Sequence, residues 1–442
     1  MKGTLLEGNI RRELIALSLP LLIGNVLQQL YNTVDSLIIG HYLGTEAFSA
    51  VGIAGSIMNL LIFVLTGFCT GVAIIFAQMY GSGDRKGFRR EVFVSASLGA
   101  GITLILSLVF MLLMRAILGW INSPQELIPS IEAYLRVIIG GMLCTYFYNL
   151  CSAMLSAIGD TRASTFFLFI AVTANAVLDY LFVGRFNFGI AGAAWATVLS
   201  QLLSAFCCLV YIFRRDRDLI CTRYDFGFER KLVKRTLVFG FTSAMHQSSL
   251  YIGKIAVQGA VNLLGTAGIA AYTATMRVEG FANSFGTSLG QAFSVFTSQN
   301  HGAGNRRREW DGFRQGMALS VGMGLALSVL MFVSARIGVG VFLKGDETQA
   351  IDFGVSYLRQ MAFFYVLCFT GNTFVGFFRG VGRMHVLVIG TTMHITVRAV
   401  LSYLLVGNLG LRAVALATGI GWVLLFVYQL ANMVHYKRTE PL

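Results

Sequence analysis

The sequence predicts an all-α membrane protein with twelve transmembrane helices in two parallel six-helix repeats. Of its 442 residues, 56% are hydrophobic and only 12% are charged, about half the charged fraction of a soluble protein. Runs of about 20 residues with almost no charge recur along the chain, as is typical of membrane-spanning helices. The second half of the chain also repeats the first. This composition excludes a secreted disulfide scaffold, a soluble enzyme and a nucleic-acid-binding domain.

The apolar runs divide into twelve spans, each long enough to cross a hydrocarbon core about 30 Å thick. In chain order they cover roughly residues 14–40, 47–80, 91–117, 128–157, 164–183, 189–213, 236–263, 268–300, 312–342, 351–378, 385–406 and 411–435. Because several spans exceed the ~20 residues needed, their number is better determined than their ends.

The basic residues that give the chain its net charge of +13 are unevenly distributed between the two sides of the membrane. If the amino terminus is cytoplasmic, most of the 34 Lys and Arg fall on cytoplasmic segments. The outer loops and span ends hold only Arg115, Arg185, Arg336, Lys344 and Arg412. This asymmetry is the positive-inside rule, so the charge reports topology and predicts no nucleic-acid partner. We expect a multi-pass protein of a bacterial cytoplasmic membrane with both termini in the cytoplasm.

Two halves of the chain match at a nearly constant spacing. Leu43-Gly44-Thr45 recurs 221 residues later as Leu264-Gly265-Thr266, Tyr134-Leu135-Arg136 recurs 223 residues later as Tyr357-Leu358-Arg359, and Thr173 to Gly184 match Thr396 to Gly407 at eight of twelve positions. Because each half holds an even number of spans, both enter the membrane in the same direction. Secondary transporters use such parallel repeats, with a site between the halves, whereas the alternative is a duplicated bundle without a transport role.

The sequence therefore divides into two lobes and a linker. The amino-terminal lobe covers residues 1–213 with helices 1–6, and the carboxyl-terminal lobe covers 236–442 with helices 7–12. Between them, residues 214–235 form a basic stretch that we expect to be a cytoplasmic loop.

The repeats differ at polar positions within the membrane. Asn175 and Asp179 of the fifth span become Arg398 and Ser402 in the eleventh, and Asp35 of the first span becomes an alanine. The amino-terminal lobe thus holds two intramembrane carboxylates that the other lobe lacks. A carboxylate within the bilayer is costly unless paired, so it is a candidate for function.

We predict a cation site formed by Asp35, Asn175, Asp179 and Thr197, which lie on three spans of one lobe. At ~1.5 Å per residue, all four lie about 8 to 13 Å below the outer loops, and Asn175 and Asp179 share a helix face. Their oxygens suit a hard cation, so the expected occupant is Na⁺ or a proton. In the alternative, these residues only join neighbouring helices by hydrogen bonds.

Pro20 is the one proline clearly inside a span. Because proline has no amide hydrogen, it breaks a backbone hydrogen bond fifteen residues before Asp35 and kinks or loosens that helix. We expect either a static kink or a hinge that bends as Asp35 binds and releases its cation or proton.

Several motifs together resemble those of the MATE (multidrug and toxic compound extrusion) transporter family, and the resemblance covers nearly the whole chain. They are Tyr31-Asn32-Thr33-Val34-Asp35 with Gly40 and Leu43-Gly44, Gln78 with Gly81 and Gly83, Gln299-Asn300 with Gly302-Ala303-Gly304, Asn149 with Gly159, and Asn175 with Asp179. The resemblance implies two lobes around a V-shaped cleft and export of amphiphilic compounds driven by inward Na⁺ or H⁺. Similarity to bacterial members with an amino-lobe cation site carries that role onto Asp35, Asn175, Asp179 and Thr197.

The charges of the carboxyl-terminal lobe do not fit a cationic drug, which is the substrate usually expected. Its spans contain Lys254, Arg277, Arg359 and Arg398 against one well-placed acid, Glu279. If these cations face the cleft they repel a cationic substrate, so a zwitterionic or anionic substrate is expected; the alternative is a pair between Glu279 and Arg398. Residues expected to line the cleft are Gln28, Tyr31, Met58, Asn149, His246, Lys254, Met276, Glu279, Asn372 and Arg398.

The leading hypothesis is a cation-coupled antiporter that exports amphiphilic drugs or metabolites by alternating access. The alternatives are a lipid-linked precursor flippase of the same superfamily, favoured by the cationic lobe, and an integral-membrane enzyme or receptor. The six histidines are scattered and no nucleotide-binding loop is present in the sequence, which argues against an enzyme and against ATP-driven transport by this chain. We expect a monomer in the lipid bilayer, with a small-molecule substrate and no cofactor beyond the coupling ion.

Overall fold

A computed structural model of the protein describes residues 5–121, 123–343 and 348–440, without the side chains of Asn32 and Ser36. Within these ranges the chain is helical and contains no strand, which confirms the predicted class. Twelve α-helices follow one another: α1 Ile10–Gly81, α2 Arg85–Trp120, α3 Ile128–Gly140, α4 Met142–Ala157, α5 Thr161–Asp179, α6 Gly189–Arg215, α7 Arg230–Asn262, α8 Gly265–Gly302, α9 Arg306–Gly340, α10 Thr348–Gly380, α11 Met384–Leu409 and α12 Leu411–Thr439.

These helices agree with the twelve predicted spans. The first two spans lie in α1, which is broken at Gly44, where φ is 82° and ψ is −174°. The fourth span is the pair α3 and α4, which bend by 47° at Gly141. Over the described residues, nine helical segments, two of them in α1, are apolar enough to cross a membrane, or ten with this bent pair as one span. The remaining two, α7 and α8, have 33 and 38 residues but are more polar.

The internal repeat is visible in the backbone. Four pairs of glycines at repeat-related positions all have φ in the left-handed region, which side-chain-bearing residues rarely adopt. The pairs are Gly44 and Gly265, Gly83 and Gly304, Gly159 and Gly382, and Gly189 and Gly410. Asp84 and Asn305, also related by the repeat, cap α2 and α9 by accepting from amides three residues on. The same turns therefore join equivalent helices in both halves.

The chain forms two compact units. The amino unit contains Ile23–Ala244, and the carboxyl unit contains Met1–Leu22 with Met245–Leu442, as far as these residues are described. The two division points, after Leu22 and after Ala244, are separated by almost the repeat spacing. Thus the first half of the first helix of each repeat groups with the other repeat, whereas the predicted lobes kept each helix whole. The lobe boundaries at 213 and 236 stay a prediction.

The first half of α7, residues 230–244, comes from the second repeat but belongs to the amino unit. It packs there through close backbone contacts. A Cβ atom at Gly67 would lie 2.6 Å from the Cα of Ala244, and one at Gly71 would overlap the carbonyl oxygen of Phe239. Small residues allow helix backbones in membranes to approach in this way. The hydroxyl of Thr236 also donates to the buried carboxylate of Glu91 at 3.0 Å.

The segment that ends at Leu22 comes from the first repeat but belongs to the carboxyl unit, where it is held through polar contacts. The amide of Leu5 donates to Gln299 at 3.3 Å, and Asn300 donates to the Leu5 carbonyl at 3.1 Å. Arg308 forms an ion pair of 2.7 Å with Glu13. Gln299 is the repeat counterpart of Gln78, which accepts a hydrogen bond from Arg235 in the amino unit. Equivalent glutamines therefore bind the exchanged segments.

The linker between α6 and α7 is anchored to α2. Arg89 donates to the carboxylate of Asp225 at 2.8 Å, and Thr222 binds the same oxygen through its amide and hydroxyl. Burial acts to raise the pKa of Asp225, but these hydrogen bonds outweigh it and hold the pKa at about 2. The predicted linker is thus fixed at its centre, while its ends belong to α6, which ends at Arg215, and α7, which begins at Arg230.

Candidate cation and substrate sites

The four residues predicted to form a cation site lie together in the amino unit. Asp35 comes from α1, Asn175 and Asp179 from adjacent turns of α5, and Thr197 from α6. The side chains of Asp179 and Asn175 are 0% and 1% exposed, and that of Asp35 is 9% exposed. The hydroxyl of Thr197 accepts from Asn175 at 3.5 Å and from the Tyr31 hydroxyl at 3.3 Å.

The two carboxyl groups interact directly with each other. Apart from that interaction, Oδ1 of Asp35 and both carboxylate oxygens of Asp179 are buried without a hydrogen-bond donor among the described residues. Two ionised carboxylates in contact repel, and burial removes the water that would separate them. An arrangement of this kind can share a proton or bind a small cation with its free oxygens.

Two tyrosines complete this centre. Tyr31 is one of the predicted cleft residues, whereas the sequence marks Tyr134 only as part of the repeat. Tyr134 is 1% exposed and lies within electrostatic range of Asp35, Asp179 and Tyr31. Its hydroxyl is 4.0 Å from the sulfur of Met58, another predicted cleft residue. The recurrence of a buried tyrosine at a repeat position was the signal that could have identified it.

A second polar cluster lies in the carboxyl unit, where it contains Lys254, Glu279 and Arg398. Arg398 donates to the hydroxyl of Tyr272 at 3.4 Å. Glu279 interacts electrostatically with Arg398 and Lys254 and lies beside the hydroxyl of Tyr357. No ion pair within 4.0 Å joins these three charged side chains, and Oε1 of Glu279 and Nε of Arg398 lack partners among the described residues. The pair expected in the alternative, Glu279 with Arg398, is therefore not a direct one, and the cluster has an excess of positive charge.

Both centres occupy equivalent positions in the two repeats. The counterparts of Met58, Tyr134, Asn175 and Asp179 are Glu279, Tyr357, Arg398 and Ser402, respectively. Tyr134 contacts Met58 in one unit, and Tyr357 lies beside Glu279 in the other. The same scaffold thus presents carboxylates in the amino unit and mainly cations in the carboxyl unit.

Other predicted cleft residues lie away from these clusters. Asn149 and Asn372 each donate to a carbonyl one turn earlier in their own helix, at 2.7 and 3.0 Å, which favours a structural role. Gln28 is exposed, Met276 packs against the core of the carboxyl unit, and His246 is buried in electrostatic range of Arg379.

Two further predicted residues have clear surroundings. Arg359 is exposed on α10 and lies 5.5 Å from the ring centre of Phe332. Pro20 is buried inside α1, two residues before the division between the compact units.

Comparison with known proteins identifies the family. The family model described as MatE matches twice, over residues 20–181 and 243–404, once in each repeat. The chain is 29% identical over 421 residues to a probable multidrug resistance protein, YpnP of Bacillus subtilis, covering 94% of this chain and 93% of that protein. It is 28% identical to the probable multidrug resistance protein NorM of Thermotoga maritima, covering 85% and 81%.

Solved structures share the fold. An outward-facing multidrug resistance MATE family transporter superposes with a TM-score of 0.91 at 23% identity, covering 99% of this chain and 98% of the other. A Pyrococcus furiosus transporter of the MOP superfamily, described as having reversed polarity in its binding pocket, gives 0.87 at 24%, covering 98% and 97%. From both family matches and the shared helical architecture, the chain belongs to the MatE family, and the resemblance carried by its sequence motifs is confirmed.

Proposed function

We propose that the protein is a secondary active antiporter that exports amphiphilic compounds across a bacterial cytoplasmic membrane, driven by inward H⁺ or Na⁺. The observation that carries the proposal is the buried pair of Asp35 and Asp179, which interact with each other in one unit and have no acidic counterpart in the other. The multidrug resistance names of the relatives support the export of drugs.

The coupling ion acts at the carboxylate pair. Removal of a shared proton or bound cation leaves two buried negative charges in contact, which is unfavourable. Loading and release are therefore linked to the conformation that gives the pair access to water. Tyr31 and Thr197 lie within this network and transmit its state to α1 and α6. An ion gradient can drive transport when the two conformations of the protein bind the ion with different affinities.

The substrate class follows from the carboxyl unit. Lys254 and Arg398 outnumber Glu279 in its polar cluster, so we propose amphiphiles with a negative or zwitterionic group as the preferred cargo. The same excess favours a second candidate function, a flippase for lipid-linked envelope precursors, whose phosphates would bind these cations. A flippase has no need of the Asp35 and Asp179 pair, and for that reason it ranks second.

Alternating access requires helices that bend. We propose Pro20 as a hinge because it lies two residues before the point where α1 passes from the carboxyl unit to the amino unit. Pro20→Ala restores the amide donor that proline lacks and should slow transport by about two- to fivefold, an effect of roughly 0.4–1 kcal/mol on the barrier. An unchanged turnover rate in vesicles would show that the kink is static.

The remaining features complete the proposal. We place both termini in the cytoplasm because the distribution of Lys and Arg favours that orientation, and we propose a monomer without a cofactor other than the coupling ion. Reaction of cysteines introduced near each end with an impermeant maleimide, on intact cells, tests the orientation.

The decisive experiment measures transport in proteoliposomes. A fluorescent amphiphile should move when a pH or Na⁺ gradient is imposed, and Asp35→Asn or Asp179→Asn should remove the dependence on that gradient. Asp352→Asn, at an exposed acid on α10, is the matched control and should behave like the natural protein. Full coupled transport by both aspartate variants would refute the site. Rescue of envelope-precursor export by the same variants, without drug efflux, would favour the flippase.

A further inference from the structure

Four basic side chains form a pocket where α2 and α7 adjoin the linker. This basic pocket, a cavity of about 340 Å³ in the amino unit, is lined by Lys86 and Arg90 of α2, Lys231 and Arg235 of α7, and the acids Asp84 and Glu229. Both acids are already engaged, because Asp84 caps α2 by accepting from the Gly87 amide at 2.8 Å and Glu229 pairs with Arg90 at 3.5 Å.

Of the other three basic groups, Lys86 and Lys231 have no acidic partner among the described residues, whereas Arg235 interacts electrostatically with the buried Glu91. Over the residues that the structure describes, no carboxylate lies within 4.0 Å of Lys86, Lys231 or Arg235. Arg235 instead donates to the amide oxygen of Gln78, which holds the guanidinium at the pocket. Clustered Lys and Arg at a membrane surface bind phosphate groups through charge-assisted hydrogen bonds. The pocket therefore has an unbalanced positive charge suited to a phosphate.

An apolar cavity lies further along the same two helices, α2 and α7. Its volume is about 380 Å³, and Phe68, Ile102, Leu237, Val238 and Phe241 are among the residues that line it. Along α7 it starts two residues after Arg235, so the two cavities share one helix. Val238 and Phe241 are 48% and 66% exposed, so the cavity opens at the surface of the amino unit.

The dimensions match one lipid molecule. At ~1.5 Å per residue, Ile102 lies about 18 Å along α2 from Arg90. One leaflet of the hydrocarbon core is about 15 Å deep. A headgroup bound at the basic residues would thus place an acyl chain along the apolar lining.

We propose that the amino unit binds an anionic glycerophospholipid, with its phosphate at Lys86, Lys231 and Arg235 and an acyl chain in the apolar cavity. The lipid covers the packing surface between α2 and the half of α7 that belongs to this unit. This site is separate from the carboxylate pair and does not depend on the proposed antiport.

Lipid titration followed by native mass spectrometry tests the proposal. The purified protein is titrated with phosphatidylglycerol, and separately with phosphatidylcholine of the same chain length. The double variant Lys86→Gln with Lys231→Gln should weaken phosphatidylglycerol binding by about fivefold for each charge removed. Arg230→Gln with Lys234→Gln, which removes two charges of α7 that do not line the pocket, should bind as the natural protein does.

Two further arms separate a lipid from other ligands. Val238→Trp fills the cavity and should weaken phosphatidylglycerol binding, whereas Ile252→Trp, at an exposed site elsewhere on α7, should not. Inorganic phosphate at millimolar concentration should fail to displace the lipid. Equal binding of both lipids, equal loss in the control pair, or displacement by phosphate with no effect of Val238→Trp would each overturn the proposal. Thermal unfolding in phosphatidylcholine alone identifies a variant that fails to fold.

Discussion

In the amino unit Tyr134 lies among Asp35, Asp179 and Tyr31, whereas in the carboxyl unit its counterpart Tyr357 lies beside Glu279 and Arg398. The helices, turns and buried tyrosine are shared, whereas the neighbours of that tyrosine differ. In the amino unit the free carboxylate oxygens have no nearby cation among the described residues, while in the polar cluster of the carboxyl unit Lys254 and Arg398 outnumber Glu279.

This difference shows how duplication separates two tasks. A single centre that held both sets of charges would neutralise itself through direct ion pairs. Placed in different units, the acidic centre can exchange a cation while the basic centre remains free to attract a substrate of opposite charge. The shared scaffold also supplies a built-in control, because each residue of one centre has a known replacement at the same place in the other.

The largest effect is expected for Asp179→Ser, which gives the amino unit the residue found at the equivalent position, Ser402. Ser402 is fully buried in the same scaffold, so the smaller side chain is compatible with the fold. The gradient-driven part of transport should fall by about tenfold or more, since one half of the acidic pair is lost. Flux in vesicles measures it, and Ser402→Ala should leave flux unchanged. If transport by Asp179→Ser still depended fully on the ion gradient, the acidic pair would not be the site that couples the gradient to transport.

Arg398→Asn makes the opposite exchange, because Asn175 is the counterpart of Arg398. The apparent KM for an anionic amphiphile should rise by about tenfold, or roughly 1.4 kcal/mol, while gradient dependence persists. Concentration-dependent uptake into vesicles separates KM from maximal rate. Arg359→Asn removes a cation from the same unit at an exposed position and should have little effect. The same rise in both variants would mean that general surface charge, and not the cluster, attracts the substrate.

Gly71→Ala probes the way the amino unit holds its half of α7. The added methyl group meets the Phe239 carbonyl and should lower stability by about 1–3 kcal/mol. Gly55→Ala on the same helix has nothing within 4 Å of the added atom and should stabilise the helix by about 0.5–1 kcal/mol. Thermal unfolding in detergent compares the two. A similar midpoint for both would show that the close backbone contact is unimportant.

The smallest effect concerns the linker and its pH dependence. Since the pKa of Asp225 is about 2 in the folded protein and 3.8 ordinarily, its stabilising contribution is complete above pH 3.8 and is lost as the pH falls to 2. Cleavage by trypsin after Arg223 should therefore be slow and uniform near neutral pH. Asp225→Asn should accelerate it about threefold, because charge-assisted bonds weaken. Asp218→Asn, at an exposed ion pair of 3.9 Å, is the control; equal acceleration in it would contradict the anchoring role.

The sequence was sufficient to predict the helical spans, the duplication and the meeting of Asp35, Asn175, Asp179 and Thr197. Helix rise fixes depth, and the repeat identifies what one half has kept, so these residues could be placed together without coordinates. The role of the cluster as a cation site remains a prediction.

Other features of the structure could not be predicted from the sequence pattern. Depth gives no rotation about a helix axis, and so Tyr134 was not assigned to the acidic centre. The expected pair of Glu279 and Arg398 was chosen by charge alone, although the two side chains are held apart. The exchange of half-helices depends on contacts between distant segments, such as Gly67 with Ala244, which no local periodicity encodes.

That exchange affects how the protein is made. Residues 5–22 belong with helices synthesised hundreds of residues later, and the amino unit is incomplete until residue 244 has emerged from the ribosome. Neither half of the coding sequence alone would yield a finished unit, since each product would expose the groove meant for the other's first helix. Fragments produced together in one cell, with the break between α6 and α7, would regain their partners only by assembling with each other.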